Sequence, residues 1–233
     1  MLEKTRGVVL STLPYRETSV ISRIYTEDFG RQSFLMNGVR RAAGKRVGPR
    51  AALFQPLTPV ALVTYFRPGR DLHRLSEIQC FHPYRTLPLD FRKTGIALFL
   101  AEVLDKSVRE EEPQPALFTF IFDGLRRFDN LAEGFGSFHL QFLLGLSRYL
   151  GFRPSSSEDF YGQLFDTAAW RQIVGAAEAE ALDALLQSPY EAAPPLPSAV
   201  RRGLLDHLVK FYALHVANFG ELRSLPVLQE TMG

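Results

Sequence analysis

The apolar residues of this chain change their spacing near residue 81, and this change limits the folds that the chain can adopt. Over residues 1–80, β-branched and aromatic residues alternate with polar ones, as in strands that bury one face. After residue 81, apolar residues recur every three or four positions, as in amphipathic helices. The pattern predicts an α+β multidomain protein, with a strand domain at residues 1–81 and an all-α helical domain at residues 82–233.

The first part predicts five short strands separated by glycine and proline turns. Gly30 and Gly69 mark two tight turns, and only the connection over residues 40–56 is long. Five short strands with one extended loop are typical of a small closed barrel of the OB-fold type. The predicted strands are Thr5–Leu13, Ser19–Thr26, Arg31–Val39, Leu57–Phe66 and Leu72–Phe81.

The second part predicts five helices from apolar residues at spacings of three and four, with prolines at several boundaries. The polar residues 153–165 predict a loop between the third and fourth helices. The predicted helices are Arg92–Val108, Ala116–Phe128, Ser137–Leu150, Ala168–Leu186 and Ala199–Ala217.

Charge divides the chain at the same place as periodicity. Residues 1–80 hold 13 Lys or Arg and 6 Asp or Glu, whereas residues 81–233 hold 14 and 19. Within residues 31–70 there are eight cationic side chains and no carboxylate. A surface of one sign attracts polyanions, and nucleic acid is the common polyanion. The predicted nucleic-acid-binding residues are Arg31, Arg40, Arg41, Lys45, Arg46, Arg50, Arg67 and Arg70.

Three aromatic residues in the predicted strands are candidates for stacking on nucleic-acid bases. Phe34, Tyr65 and Phe66 lie beside the basic residues, and a ring can stack on any base. The alternative for each is packing in the barrel core. Because Tyr65 and Phe66 are adjacent in one strand, they point to opposite faces, and the sequence leaves open which of them is exposed.

No catalytic or cofactor motif accompanies the basic residues. Gly38 and Gly44 enclose five residues rather than the four of a nucleotide P-loop, and Arg46 follows Lys45 where Ser or Thr is needed. The sequence also lacks an HExxH motif and a Gly-x-Ser-x-Gly elbow. We therefore expect neither an enzyme nor a bound cofactor or metal.

Other sequence features bear on the cellular compartment of the protein and on membrane binding. Cys80 is the only cysteine, which excludes an intrachain disulfide and fits a reducing cytosol. The chain has no signal-peptide pattern and no run of some twenty apolar residues. Binding to an anionic membrane would need a basic amphipathic helix, which the glycines of residues 38–48 disfavour. We expect a cytoplasmic protein without membrane contact.

Four segments of the chain resemble the bacterial recombination mediator family RecO, in its Bacteroidetes-type branch. Together these segments extend over nearly the full length. They are KTRGVVLSTLPYRETSVISRIYTEDFGRQSFLMNGVRR, FRKTGIALFLAEVLDKSVREEEPQPALFTFIF, FHLQFLLGLSRYLGFRP and HLVKFYALHVANFGELRSLPVL.

The resemblance implies an OB-fold followed by a helical domain, acting in DNA repair without turnover. It also implies a bacterial protein that is associated with the nucleoid during DNA repair. It implies binding of single- and double-stranded DNA and annealing of complementary strands. The implied partners are single-stranded-DNA-binding protein, through its C-terminal tail, and RecR, with RecA loaded indirectly. Many family members carry a four-cysteine zinc module after the segment equivalent to YLGFRP, but residues 155–166 contain no cysteine or histidine. Zinc is therefore not expected here.

Two alternatives from other classes remain open at this point. An OB-fold protein of RNA or ribosome metabolism would show the same basic residues and would prefer structured RNA. A nuclease or ligase fragment would need carboxylates or a nucleophilic lysine near the basic residues. The lack of carboxylates in residues 31–70 opposes metal-ion catalysis there.

Overall fold

The computed structural model describes residues 2–39, 50–165, 168–188 and 194–231. These residues form a closed five-stranded barrel followed by seven α-helices, and the predicted fold class is confirmed. The chain divides into two compact units, residues 1–129 and residues 130–233.

The barrel contains each of the five predicted strands, with ends that differ by no more than three residues. Its strands are β1 (Leu2–Tyr15), β2 (Ser19–Thr26), β3 (Gly30–Met36), β4 (Pro59–Tyr65) and β5 (His73–Cys80). They pair in the order β1, β2, β3, β5, β4, and β4 pairs with β1 to close the barrel. Every pairing is antiparallel except that of β3 with β5, which is parallel and short.

Strand β1 pairs with β4 through its first half and with β2 through its second half, so it must bend. The register shifts between Val9 and Ser11, which is a bulge of the kind that bends strands. At Gly7 a Cβ atom would lie 2.5 Å from the Cγ2 atom of Ile24, so the close approach of β1 and β2 requires glycine. The bent sheet encloses a core of apolar side chains. Its buried members are Val9, Val20, Ile24, Phe34, Met36, Val39, Phe54, Val60, Leu62 and Leu75.

Two helices complete the first unit, α1 (Phe91–Ser107) and α2 (Pro115–Asn130). The first unit therefore extends beyond the predicted strand domain, although the strands end at Cys80, next to the predicted boundary at residue 81. The boundary at residue 81 marks a change of secondary structure, whereas the boundary after residue 129 separates two compact units. Strands give way to helices at residue 81, whereas contacts within the chain thin out only after Asp129, because α1 packs against β1.

A buried polar network around Asp129 fixes the segment that enters α1. The Asp129 carboxylate accepts hydrogen bonds from the backbone N–H groups of Arg85, Thr86 and Leu87 at 2.7–2.8 Å. Lys93, which is 2% exposed, donates to Thr86 Oγ1 and to the Asp129 carbonyl at 2.6 and 2.9 Å. Burial alone would raise the pKa of Asp129, but the three backbone donors outweigh it and lower that pKa.

We predict that Asp129→Asn lowers the free energy of unfolding by about 2–3 kcal/mol, because a neutral amide cannot accept all of these bonds. The measurement is urea unfolding followed by far-UV circular dichroism at pH 7. Asp123→Asn is the matched control, since Asp123 lies on the same helix and forms an ion pair with Arg126 at the surface. Equal effects of the two substitutions would contradict a structural role for the Asp129 network.

The second unit consists of α3 (Phe138–Tyr149), α4 (Ser157–Phe165), α5 (Ala176–Gln187), α6 (Ser198–His215) and α7 (Leu225–Thr231). The predicted loop over residues 153–165 is wrong, because α4 forms there and buries Phe160 and Tyr161. Polar residues of this segment form hydrogen bonds at the start of α4. For example, the Asp159 carboxylate accepts from the Ser155 N–H at 2.8 Å. The predicted helix over 168–186 is interrupted at Gly175, whose ψ of 143° is extended. The sequence analysis also missed α7.

Helices α5 and α6 of this unit pack against α3, which is buried on nearly all sides as its apolar sequence predicted. Tyr212 of α6 donates from its hydroxyl to the Leu143 carbonyl at 2.7 Å, which joins α6 to α3. His139 of α3 is 1% exposed, and burial, assisted by the charge of Arg201, lowers its pKa to about 3.

We predict that His139 makes the stability of this unit fall as the pH falls. An unfolded histidine takes up a proton near pH 6.5, whereas folded His139 stays neutral to about pH 3. The unfolded state therefore gains stability below pH 6.5, by up to about 1.4 kcal/mol per pH unit. Fluorescence of Trp170, the single tryptophan, reports urea unfolding between pH 7 and 5. His139→Gln should give a shallower loss than the unsubstituted chain, whereas His82→Gln should not. Identical pH slopes for the two variants would contradict this assignment.

Candidate nucleic-acid interface

A groove beside the turn between β4 and β5 brings together three arginines and an exposed tyrosine. Its volume is about 580 Å³. The groove is lined by Tyr65, Arg67, Arg70, Leu72, Arg74, Leu75 and Ser76. We call it the arginine groove. Arg67, Arg70 and Tyr65 were predicted from the sequence, and Arg74 was not.

Strand register explains why these side chains share one face. Tyr65 and Arg74 are directly paired partners on β4 and β5, and Tyr65 is also paired with Leu2 on β1. Directly paired residues point to the same face of a sheet with their Cβ atoms close together. Leu2, Tyr65 and Arg74 are exposed, so this face is the outside of the barrel. Gly69 has a left-handed conformation, with φ of 76°, in the turn that reverses the chain between β4 and β5.

The positive charge of the arginine groove is not compensated. Arg67, Arg70 and Arg74 are exposed, and none forms an ion pair with another residue in the described ranges. The groove lining contains no Asp or Glu. Guanidinium groups with free donors are well suited to bind phosphate groups, so the arginine groove is a candidate site for them.

Arg31 is placed differently from the groove arginines. It is half-buried, and burial lowers the pKa of its guanidinium group, opposed by the nearby charge of Asp105. Its backbone N–H donates to the Glu110 carbonyl at 3.0 Å. Residues 110–112 cross the barrel here so closely that a Cβ atom on Gly30 would lie 2.6 Å from the Glu112 carbonyl oxygen. Arg31 therefore lies among acidic residues of the same unit and not in the arginine groove.

Of the remaining predicted cations, only Arg50 lies within the described residues, and it does not line the arginine groove. Arg50 is exposed at the start of the 3₁₀ turn Ala51–Phe54, which leads back into the barrel. Arg40, Arg41, Lys45 and Arg46 lie outside the described residues, so their assignment stays a prediction.

The three aromatic candidates differ in burial and in packing. Phe34 is fully buried in the barrel core, so its assignment as a base-stacking residue is corrected: no face of its ring reaches the surface. Phe66 is stacked against Phe29, with centroids 4.1 Å apart, and against His73, at 4.6 Å. Two near-parallel rings so close to a third must lie on its opposite faces, and neither face of Phe66 is left for a base. Tyr65 is 51% exposed.

A chain of hydrogen bonds from the barrel core holds the turn that carries Arg67. Gln32 Nε2 donates to the Phe29 carbonyl at 2.7 Å, which turns Gln32 Oε1 toward His73 Nε2 at 3.2 Å. His73 Nε2 is therefore the donor, and its Nδ1 accepts from the Arg67 N–H at 3.5 Å. Burial lowers the pKa of His73, which keeps the ring in the neutral form that this chain requires.

We predict that His73→Phe loosens the turn over residues 66–72. Phenylalanine keeps a ring against Phe66 but cannot accept from the Arg67 N–H, so the amide should exchange with deuterium several-fold faster, as expected for a hydrogen bond of about 1 kcal/mol. The measurement is hydrogen–deuterium exchange of the peptide that contains residues 66–72. His82→Phe is the matched control. Unchanged exchange in the turn would show that the Arg67–His73 bond does not hold it.

A second groove on the barrel differs from the arginine groove because its lining includes both cationic and acidic residues. It has a volume of about 460 Å³ and includes Lys4, Arg6, Glu27, Asp28 and Glu77 in its lining. Arg6 forms a two-pronged ion pair with Glu27, at 2.7 and 2.8 Å. Arg6 is paired with a carboxylate and the lining includes three acidic residues, so this groove lacks the uncompensated positive charge that attracts a polyanion.

Comparison with known proteins agrees with this architecture. Residues 1–84 match the family described as Recombination protein O N terminal, and residues 88–226 match Recombination protein O C terminal. The chain belongs to the RecO family. DNA repair protein RecO of Phocaeicola vulgatus is 36% identical over 241 residues, which cover 99% of each chain. Those of Bacteroides fragilis and Christiangramia forsetii are 36% and 29% identical, over at least 99% of each chain. The resemblance found in the sequence is confirmed.

Arg74 is the groove residue of this RecO-family chain that sequence reasoning missed. The run of residues without carboxylates, on which the prediction rested, ends at Asp71, three residues before Arg74. Alternation along β5 carries the missing signal, because His73 and Leu75 are buried while Leu72, Arg74 and Ser76 are exposed. This alternation places Arg74 on the same strand face as Leu72, next to the turn that carries Arg67 and Arg70.

Within the described residues, no group of three or more His, Cys, Asp or Glu side chains could hold a metal ion. None of the helices in the same residues is long and apolar enough to cross a membrane.

Proposed function

We propose that the chain is a mediator of DNA repair and homologous recombination that binds single- and double-stranded DNA and anneals complementary strands. Membership of the RecO family supports the role in repair and recombination. The observation that supports DNA binding is the arginine groove, in which three uncompensated guanidinium groups lie beside an exposed tyrosine.

In this proposal, Arg67, Arg70 and Arg74 bind the phosphate backbone and release its counterions. Contacts with phosphates carry no base information, so binding is nearly independent of sequence. Such binding suits a protein that must act wherever single-stranded DNA is exposed. Since the groove lining holds no carboxylate, it offers no ligands for the metal ions that nucleases use.

The basic residues outside the groove extend the same proposal. Arg40, Arg41, Lys45 and Arg46 belong to the connection between β3 and β4, as does Arg50, which is exposed just before the 3₁₀ turn Ala51–Phe54. Cations that neutralise phosphates on two strands at once reduce the repulsion between those strands. Annealing would then follow from electrostatic screening, without a chemical step or a cofactor.

Family membership also supports a set of protein partners. We propose that the chain contacts the acidic C-terminal tail of single-stranded-DNA-binding protein and RecR, and so helps RecA to replace single-stranded-DNA-binding protein on DNA. A fluorescent tail peptide and purified RecR provide direct binding tests. An absence of binding to both would remove the mediator part of the proposal and leave the DNA-binding part in place.

We predict that replacing Arg67, Arg70 and Arg74 together by alanine weakens binding of a labelled single-stranded oligonucleotide and slows annealing. The plot of log affinity against log salt concentration should become shallower by about 2, because about 0.7 counterion is released per phosphate contact on single strands. Fluorescence anisotropy across a salt series measures both quantities. Replacing Arg40, Arg41, Lys45 and Arg46 by alanine should reduce the slope by about 3 if those residues also contact phosphates.

The control replaces three exposed arginines outside the barrel, Arg126, Arg148 and Arg171, which changes the net charge equally. A slope that falls as much in this control as in the groove variant would show that only overall charge matters. Equal slopes for the groove variant and the unsubstituted chain would place DNA binding elsewhere. Preference for a structured RNA over DNA of equal length would favour the alternative role in RNA or ribosome metabolism.

A further inference from the structure

The ring of Tyr65, unlike the other aromatic rings near the arginine groove, is available for contact with a ligand. It packs against no other ring and lies under no guanidinium group among the described residues, and its side chain is 51% exposed. Its neighbour Phe66 is covered on both faces by Phe29 and His73. The chain thus uses one of two adjacent aromatic residues to brace the turn and presents the other at the surface.

Tyr65 is positioned among groups that bind phosphates. It is paired across the strands with Arg74, and Arg67 and Arg70 line the same groove with Leu72. The groove volume of about 580 Å³ is in the range that holds a small-molecule-sized group. An aromatic face next to guanidinium groups matches the two parts of a nucleotide, a flat base and a charged phosphate.

We propose that the arginine groove is a subsite selective for single-stranded nucleic acid, in which an unpaired base stacks on Tyr65 while Arg67, Arg70 and Arg74 bind the adjoining phosphates. This inference rests on the proposed DNA-binding function and specifies which form of DNA the groove accepts. A base in a duplex is already stacked and paired, so it reaches a protein ring only after leaving the helix at an energetic cost. Phosphates are available in both forms.

The selectivity has a consequence for annealing. While two strands are separate, each gains both the phosphate contacts and the stacking contact in the groove. When they pair, the stacking contact is lost and only the phosphate contacts remain. Pairing a whole oligonucleotide outweighs one stacked base, so the groove does not prevent annealing, and the duplex product leaves more readily than the reactant strands.

The test compares Tyr65→Ala and Tyr65→Phe with the unsubstituted protein on a labelled oligothymidylate and on a duplex of equal length. Loss of stacking should weaken binding of the single strand by about 5- to 140-fold, the equivalent of about 1–3 kcal/mol. Binding of the duplex should change less than twofold, and Tyr65→Phe should keep both affinities. The dissociation rate should rise for the single strand alone.

Stacking also has a direct optical signature. An oligonucleotide that contains 2-aminopurine should lose fluorescence on binding the unsubstituted protein and Tyr65→Phe, but not on binding Tyr65→Ala. Phe91→Ala is the matched control, because Phe91 is 71% exposed and does not line the groove. Tyr65→Leu supplies an apolar side chain without a ring, and it serves as the test variant if Tyr65→Ala fails to fold by circular dichroism.

The outcomes separate this inference from the proposed function. If the unsubstituted protein binds neither single strand nor duplex, the proposed function fails, and the subsite fails with it. If it binds DNA but Tyr65→Ala lowers both affinities equally or leaves both unchanged, the proposed function stands and the single-strand subsite is overturned.

Discussion

The parallel pairing of β3 with β5 is the contact on which the rest of the first unit depends. It consists of two residue pairs, Phe34 with His73 and Leu35 with Arg74, and without it the barrel would be open between β3 and β5. One pair places Phe34 and His73 inside, where both are buried. The other places Arg74 outside, opposite Tyr65. Because side chains alternate along a strand, one register sets both the core and the arginine groove, and a shift of one residue would exchange them.

The same closure connects the core to the turn that carries the basic residues. Gln32 and His73 form a hydrogen-bonded chain that ends on the backbone of Arg67, and Phe66 is held between Phe29 and His73. A turn with this support can keep cationic side chains close together although they repel one another. The buried side chains of Gln32 and His73 therefore help to position the exposed arginines, because they hold the backbone of the turn that carries them.

Charge compensation distinguishes structural arginines from those available to a ligand. Arg6 pairs with Glu27, and Arg23 pairs with Asp105 at 3.0 Å. Arg31 is half-buried close to Asp105. In the arginine groove the three guanidinium groups have no such partners among the described residues. Net charge alone does not make this distinction, since all of these residues contribute equally to the basic character of residues 1–80.

The sequence by itself determined the fold class, because periodicities of two and of three to four residues follow directly from the geometry of strands and helices. It also indicated a basic surface and the RecO family. It failed at α4, where polar residues that cap and flank a short helix resemble a loop. Only the tertiary structure decided that Phe34 is buried, that Phe66 braces a turn and that Tyr65 is exposed beside Arg74. Those outcomes depend on which strands become neighbours and in which register, and pairing between residues distant in the chain leaves no periodic signal in either segment alone.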